Sequence, residues 1–160
     1  MSSAIERFTD AAGALNVPVE SRRFPEGTKT ADDAARAIGC DLAQIVKSLV
    51  FVADGTPVLA LTSGANRVDA AKLAALCEAG AARRASPEEA RTATGFAVGG
   101  TPPFGHTRQL RTFFDPELLG FDQVWAAAGT SDSVFPIAPG ELKRAARATE
   151  ADFTETPPPG

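Results

Sequence analysis

The sequence predicts one domain of mixed α/β (α+β) class, built on a mixed sheet rather than a doubly wound parallel one. Three observations predict it. The length of 160 residues suits one domain, and 44% hydrophobic with 22% charged residues is ordinary globular composition. Helical and extended patterns interleave without the strict alternation of a βαβ protein. No internal repeat or linker interrupts the chain, so the domain is expected over residues 1–150.

The elements follow in order. Ile5, Phe8, Ala12 and Leu15 recur at helical spacing and predict an amphipathic helix over 3–15. Val17 to Phe24 reads as extended. Thr30 offers a capping hydroxyl ahead of Asp32 and Asp33, so a helix is expected to run to about Ile38 and stop at Gly39. Lys47 to Val52 is apolar and β-branched, and Val58 to Thr62 is its return strand. Asp54-Gly55 is a hairpin turn, which Thr56-Pro57 is expected to lengthen. Asn66 to Leu76 reads as a helix with Val68, Ala71, Leu73 and Leu76 apolar. Ser86-Pro87-Glu88-Glu89 starts another, with a capping serine and proline at the first helical position. Arg111–Phe114, Gln123–Ala127 and Ser133–Ile137 read as strands, and Pro139 to about Ala148 as a closing helix. Residues 151–160, ending in Pro-Pro-Pro-Gly, read as a disordered tail.

Composition also excludes. A net charge of −4 argues against a protein that coats nucleic acid by bulk charge, while leaving room for a local basic patch. The two cysteines, Cys40 and Cys77, form no CxxC pair, and a reduced, cytoplasmic setting is the simpler expectation. No secretory signal and no membrane-spanning stretch is read. The one histidine, His106, rules out a multi-histidine metal site, so no metal and no cofactor is expected. The common nucleotide and hydrolase signatures GxxxxGK[ST], GxGxxG and GxSxG are absent.

Four features carry candidate chemistry. Lys47 opens an apolar strand, where it is either a solvated strand end or a fixed cation that binds a phosphate or steadies an oxyanion. Residues 95–106 hold four glycines and two prolines, too many for a regular element. That segment is either a plain connection or a stiff loop whose backbone N–H groups approach a ligand. His106 closes it without a nearby nucleophile to activate, and no hydroxyl among Ser48, Thr101, Thr130 and their like has a recognisable nucleophile setting. Arg108 and Arg111 follow the loop and are either a solvated face or contacts for phosphates.

Taken together, Thr30–Ala35, Ile45-Val46-Lys47-Ser48-Leu49-Val50-Phe51, Gly99–His106 and Ala138-Pro139-Gly140-Glu141-Leu142 resemble the YbaK/ProX family in order and spacing. That family comprises the insertion domain of bacterial prolyl-tRNA synthetases and its free-standing relatives. The resemblance covers about residues 3–149. It implies a partly closed mixed sheet flanked by helices around one cleft, and hydrolysis of the ester joining a small amino acid to the terminal adenosine of tRNA. It implies Lys47 as the key polar residue. Ser48, Gly99, Gly100, Thr101, Pro102, Pro103, Phe104, Gly105, His106 and Thr130 are expected around the substrate, with Arg108 and Arg111 toward the tRNA. An aminoacyl ester is already activated, so a held water and a preorganised oxyanion site suffice. The expected partners are the aminoacyl-tRNA acceptor end and an aminoacyl-tRNA synthetase, with no DNA and no membrane.

One departure bears on the substrate. Some family members that edit alanine carry an asparagine just after the lysine and use a histidine on a later strand. This chain has Ser48, and Ala126–Thr130 holds no histidine. The amino acid removed stays open among alanine, serine, threonine, cysteine and non-protein residues. The rival reading is a non-catalytic module that holds an aminoacyl-adenosine or tRNA end beside a synthetase.

Overall fold

The computed structural model describes residues 3–28 and 30–156. Among these it has helices α1 (Ala4–Ala14), α2 (Ala31–Ile38), α3 (Ala70–Leu76), α4 (Pro87–Thr94) and α5 (Pro139–Ala146). The strands are β1 (Arg22–Arg23), β2 (Val46–Ala53), β3 (Thr56–Ser63), β4 (Ala82–Arg84), β5 (Arg111–Phe114), β6 (Val124–Ala127), β7 (Ser133–Ile137) and β8 (Thr149–Glu150). Two short 3₁₀ turns lie at Leu42–Gln44 and Pro116–Gly120.

The hairpin β2–β3 frames the molecule. Asp54 (φ 46°) and Gly55 (φ 84°) are both left-handed, the geometry whose twist matches the flanking strands. The Asp54 carboxylate accepts from the backbone N–H groups of Gly80 and Ala81, at 2.8 and 3.2 Å, which holds a non-glycine residue in that conformation. Ala53 pairs directly with Thr56, so the turn is two residues long and Thr56-Pro57 belongs to the strand. The expected lengthening does not occur. Proline is tolerated there because β3 meets β5 only from Val58 onward.

Around this hairpin a five-stranded sheet forms in the order β4-β2-β3-β5-β8, antiparallel from β4 to β3 and parallel from β3 to β8. A second, antiparallel sheet has the order β1-β7-β6. The two touch through one parallel bridge, Ile45 to Trp125. Alternation along the hairpin separates two cores. Val50, Leu59 and Leu61 join Phe8, Phe104, Phe114, Phe135 and Leu142 on one face. Phe51, Val58 and Ala60 join Leu73, Phe113 and Phe153 on the other. Ile45, Ala34, Ala35, Trp125 and Val134 form a third cluster at the junction of the sheets.

The helices start where their caps dictate. Thr30 Oγ1 accepts from Asp33 N–H at 3.1 Å, and Gly39 (φ 83°) ends α2. Ser86 and Glu89 form a reciprocal capping box on α4, worth about 1 kcal/mol. Two expected helices are shorter than their apolar pattern. Asp69 caps α3, so Asn66 and Val68 lie outside it, and Arg147 (φ 53°) closes α5. Of the extended stretch 17–24, only Arg22 and Arg23 pair, with Val134 and Ser133.

The tail expected from residue 151 is corrected in part. Phe153 is 0% exposed within the second core, Thr154 bridges Val68, and Glu155 N–H donates to Arg67 O at 2.8 Å. The terminal prolines suggest a tail, and one buried aromatic decides otherwise for the residues before them. Residues 157–160 lie outside the described residues. Phe153→Ala is therefore expected to destabilise the domain by about 3–5 kcal/mol in urea denaturation. A loss below about 0.5 kcal/mol would return these residues to the status of a tail.

Candidate functional site

The site begins with unpaired backbone. β3 covers one edge of β2 along its whole length, from Val46–Ser63 to Ala53–Thr56. On the opposite edge β4 pairs only with Phe51 to Ala53, and β6 forms a backbone bridge only at Ile45. Between them the edge at Val46–Leu49 is open. The turn closes on the hydrogen-bonded pair Ala53–Thr56, so alternation sends the N–H and C=O of Ser48 to the open edge. Ala85 N–H, donating to Val50 O at 3.0 Å, fixes the same phase one step along.

A cavity of about 470 Å³ opens at this gap. Its wall combines Lys47, Ser48, Arg84, Thr28, Thr30 and Trp125 with Val98, Gly99 and Thr101 of the glycine-proline loop. Much of the rest is small and apolar, including Ala85, Ala90, Ala126 and Ala127. Among the described residues the lining holds two basic side chains, Lys47 and Arg84, and no Asp, Glu, His or Cys. The wall thus attracts negative charge and offers no carboxylate, imidazole or thiol to act as a base or nucleophile.

Lys47 shares its strand face with Leu49 and Phe51, and its Nζ donates to Asn66 O. Asn66 Nδ2 donates to Asp115 at 2.9 Å and to Glu117. Asp115, 2% exposed, also accepts from Ser63 N–H at 3.1 Å. Burial pushes the Lys47 ammonium below the usual lysine range, Arg67 and Arg84 push it further, and Asp115 opposes them. Arg84 lies over the Phe51 ring, 6.0 Å from its centroid, and burial lowers its pKa too. Its neighbour Arg83 points the other way into a bidentate pair with Glu89, both contacts 2.8 Å, which holds that carboxyl at about 2. One ion pair thus ties the end of β4 to the start of α4 and sets Arg84 at the cavity.

Ser48 lies on the opposite strand face. Its Oγ is buried and has no hydrogen-bond partner, the one such side-chain atom among the described residues. The other hydroxyls of the lining are occupied. Thr28 Oγ1 donates to Ser131 O at 3.0 Å, Thr101 Oγ1 donates to Ala97 O at 3.1 Å, and Thr30 caps α2. An unmet buried hydroxyl is costly in a finished core, and this one belongs to a residue whose backbone faces the open edge of β2.

The loop is built rigidly. Phe96 and Phe104 anchor it in the main core, and Pro102 and Pro103 are buried. Gly99 (φ 90°) turns it, and Gly100 presses so closely on Thr130 that an added Cβ would lie 2.7 Å from that backbone. His106 Nε2 donates to Pro102 O at 2.7 Å and its ring meets Phe96 edge-on. Burial holds its pKa below the usual histidine value.

The residues expected from sequence therefore divide. Lys47, Ser48, Gly99 and Thr101 line the cavity. Gly100 and Thr130 border a separate depression behind the loop. Pro102, Pro103, Phe104, Gly105 and His106 serve as the loop's scaffold, Gly105 against Phe8 and Ala11. Arg108 and Arg111 line neither opening. Arg108 is exposed, while Arg111 donates to Leu76 O at 3.0 Å and lies over Phe113. Arg84, Thr28, Thr30 and Trp125 enter the wall although no sequence pattern singles them out for it. Arg84 stands in the sequence only as half of an Arg-Arg pair, because a three-residue strand between two helices leaves no periodic signal.

Comparison with known proteins agrees with this architecture. Residues 25–145 match the family model described as aminoacyl-tRNA editing domain. The chain is 31% identical over 119 residues to the Bacillus subtilis protein YwhH, covering 74% of this chain and 76% of that protein. It is 37% identical over 99 residues to the proline–tRNA ligase of Nitratidesulfovibrio vulgaris strain DP4, covering 62% of this chain but only 17% of the ligase. A crystal structure described as a candidate trans-editing enzyme for prolyl-tRNA synthetase superposes with a TM-score of 0.91. That protein is 41% identical, and the match covers 98% of this chain and 99% of the other.

A half-buried histidine whose pKa is held down makes stability depend on pH with a definite sign. The pKa of His106 is lower folded than unfolded, so the unfolded chain takes up the extra proton first. Stability is then full above about pH 6.5, the unfolded value, and falls as pH drops toward the folded one. Urea midpoints between pH 7.5 and 5 are expected to decline in the wild type and to decline less in His106→Asn. Equal slopes would show that His106 does not carry the dependence.

Proposed function

The chain belongs to the aminoacyl-tRNA editing domain family, and from that premise and the chemistry of its cavity we propose that it is a free-standing deacylase of mischarged tRNA. The bond broken is the ester between an amino acid and the terminal ribose. Water adds to the carbonyl carbon, the ribose oxygen leaves with a proton, and a free amino acid and an uncharged tRNA end result.

The observation that carries this reading is the content of the wall among the described residues: two basic side chains, one unpartnered hydroxyl and no carboxylate, imidazole or thiol. An activated ester needs no covalent intermediate, so a wall of this kind is sufficient where water is the nucleophile and a ribose hydroxyl relays the proton. Lys47 anchors the substrate and stabilises negative charge at the ester. Ser48 and the open edge of β2 receive its polar groups, and Gly99 and Thr101 frame the aminoacyl side. The alanine-rich wall favours a small side chain. Prolyl-tRNA synthetase relatives suggest tRNA-Pro as one acceptor, and a synthetase as a partner in the cytoplasm. A non-catalytic module would bind the same end without shortening the ester's lifetime.

The test is a deacylation time course on tRNAs charged with alanine, serine, threonine and cysteine, mischarged tRNA-Pro included. At least one ester is expected to be lost well above its spontaneous rate, with Lys47→Ala slower by about 10²-fold or more. Ser48→Ala is expected to change the ranking of the amino acids, because it removes the free hydrogen-bonding group of the wall. Tight binding with no ester loss across the panel would replace the deacylase by the binding module.

A further inference from the structure

Sequence alone points to Arg108 and Arg111 as the nucleic-acid contacts, and neither lines an opening. A second, more open depression lies beside the cavity, and Val98 borders both. It is formed by Ala4 and Arg7 of α1, Arg91 of α4, the loop from Gly95 to Gly100, and Gly129 to Ser131. Among the described residues its lining holds two arginines and no carboxylate. Arg91 is exposed and has no ion-pair partner among the described residues. Arg7 uses one Nη to donate to Gly95 O at 2.9 Å and lies 4.7 Å from the Phe96 ring centroid, which orients its guanidinium and leaves other N–H donors free.

The depression adjoins the cavity across the loop. Gly99 borders the cavity and Gly100 the depression, so consecutive residues of one loop face the two openings. Val98, 44% exposed, stands on the ridge between them as an apolar surface.

We propose that this depression is a phosphodiester subsite: it holds the backbone phosphate preceding the terminal adenosine while the aminoacyl end enters the cavity. The inference rests on the deacylase reading for the identity of the ligand, and it adds Arg91 and Arg7 as phosphate contacts. Arginine suits the task because its planar fork donates two hydrogen bonds to one phosphate. It also explains how a chain of net charge −4 meets a polyanion: the cations stand where the strand passes.

The experiment measures binding and so does not depend on hydrolysis. A fluorescently labelled cytidine-cytidine-adenosine trinucleotide is titrated against wild type, Arg91→Ala and Arg7→Gln at several salt concentrations, with adenosine alone as second probe. Arg91→Ala is expected to weaken the trinucleotide about fivefold and to flatten its salt dependence by about 0.7 in log–log slope, the value of one phosphate on a single strand. Adenosine binding is expected to stay unchanged. Arg144→Ala, which removes the same charge from a residue lining neither opening, is the control and is expected to leave both probes unaffected. Exposed Arg91 keeps the test interpretable if Arg7→Gln disturbs the packing on Phe96. Unchanged affinity and slope in Arg91→Ala, or no trinucleotide binding by the wild type, would overturn the subsite. Absence of ester loss by the wild type, measured separately, would count against the deacylase reading.

Discussion

Everything at the site depends on the register of the β2–β3 hairpin. A two-residue turn with both residues left-handed leaves one pairing available, Ala53 to Thr56 and so on to Val46 with Ser63. That pairing puts Lys47 with Leu49 and Phe51 on one face, and Ser48 with Val46 and Val50 on the other. A slip of one residue would exchange the faces, burying an ammonium in the main core and turning the serine away. It would also reverse which residues send their backbone groups to the open edge. The carboxylate of Asp54, which holds the turn through the N–H groups of Gly80 and Ala81, therefore helps set which way Lys47 and Ser48 face farther along β2.

The second constraint is the electrostatic support of Lys47. A half-buried ammonium flanked by two arginines is poorly placed unless something compensates it. Asn66 supplies the carbonyl oxygen, and Asp115 supplies the opposing charge through the Asn66 amide. Asp115 is fixed in turn by the backbone of Ser63, at the far end of the same hairpin, and by Glu117 N–H at 3.0 Å. The lysine is thus set by the strand that carries it, the strand that pairs with it and the 3₁₀ turn after β5. Such a support fixes direction as well as charge, and a preorganised cation contributes more to a developing oxyanion than a mobile one.

How much of this the sequence discloses follows from the range of each signal. Caps, turns and alternation are local, so Thr30, Gly39, Ser86 and the β2–β3 hairpin are legible in the sequence itself. The glycine-proline loop is legible as irregular, and four of the expected site residues meet in one wall. What the sequence hides is set by pairing over distance. Phe153 looks like part of a polar tail until α3 and β5 cover it. The open edge of β2 exists because β4 stops at Arg84 and β6 forms a backbone bridge only at Ile45, which no window of sequence contains. The loop misleads in a consistent way. Its composition suggests a strip of ligand contacts, whereas most of it is anchor: Phe96, Phe104 and the prolines hold Gly99 and Gly100 in place. Arg108 and Arg111 are near that loop in sequence, but β5 carries Arg111 across the sheet to the second core.

The division made by the loop gives the arrangement its logic. On one side lie small apolar residues, an unpartnered hydroxyl and an oriented cation; on the other lie two arginines without carboxylates. Chemistry on an activated ester asks for exclusion of bulk and stabilisation of charge at one atom. Holding a nucleic acid end asks for cations spaced along a strand. Combining both in one opening would draw phosphate to Lys47 and compete with the ester for it. In the proposed arrangement the loop around Val98 and Gly99 keeps the two tasks in adjoining openings. That separation requires Gly100, because any side chain there would collide with Thr130 and move the ridge. Gly100, expected from sequence as a ligand contact, is thus the residue whose lack of a side chain lets the loop lie against Thr130 between the cavity and the proposed phosphate subsite.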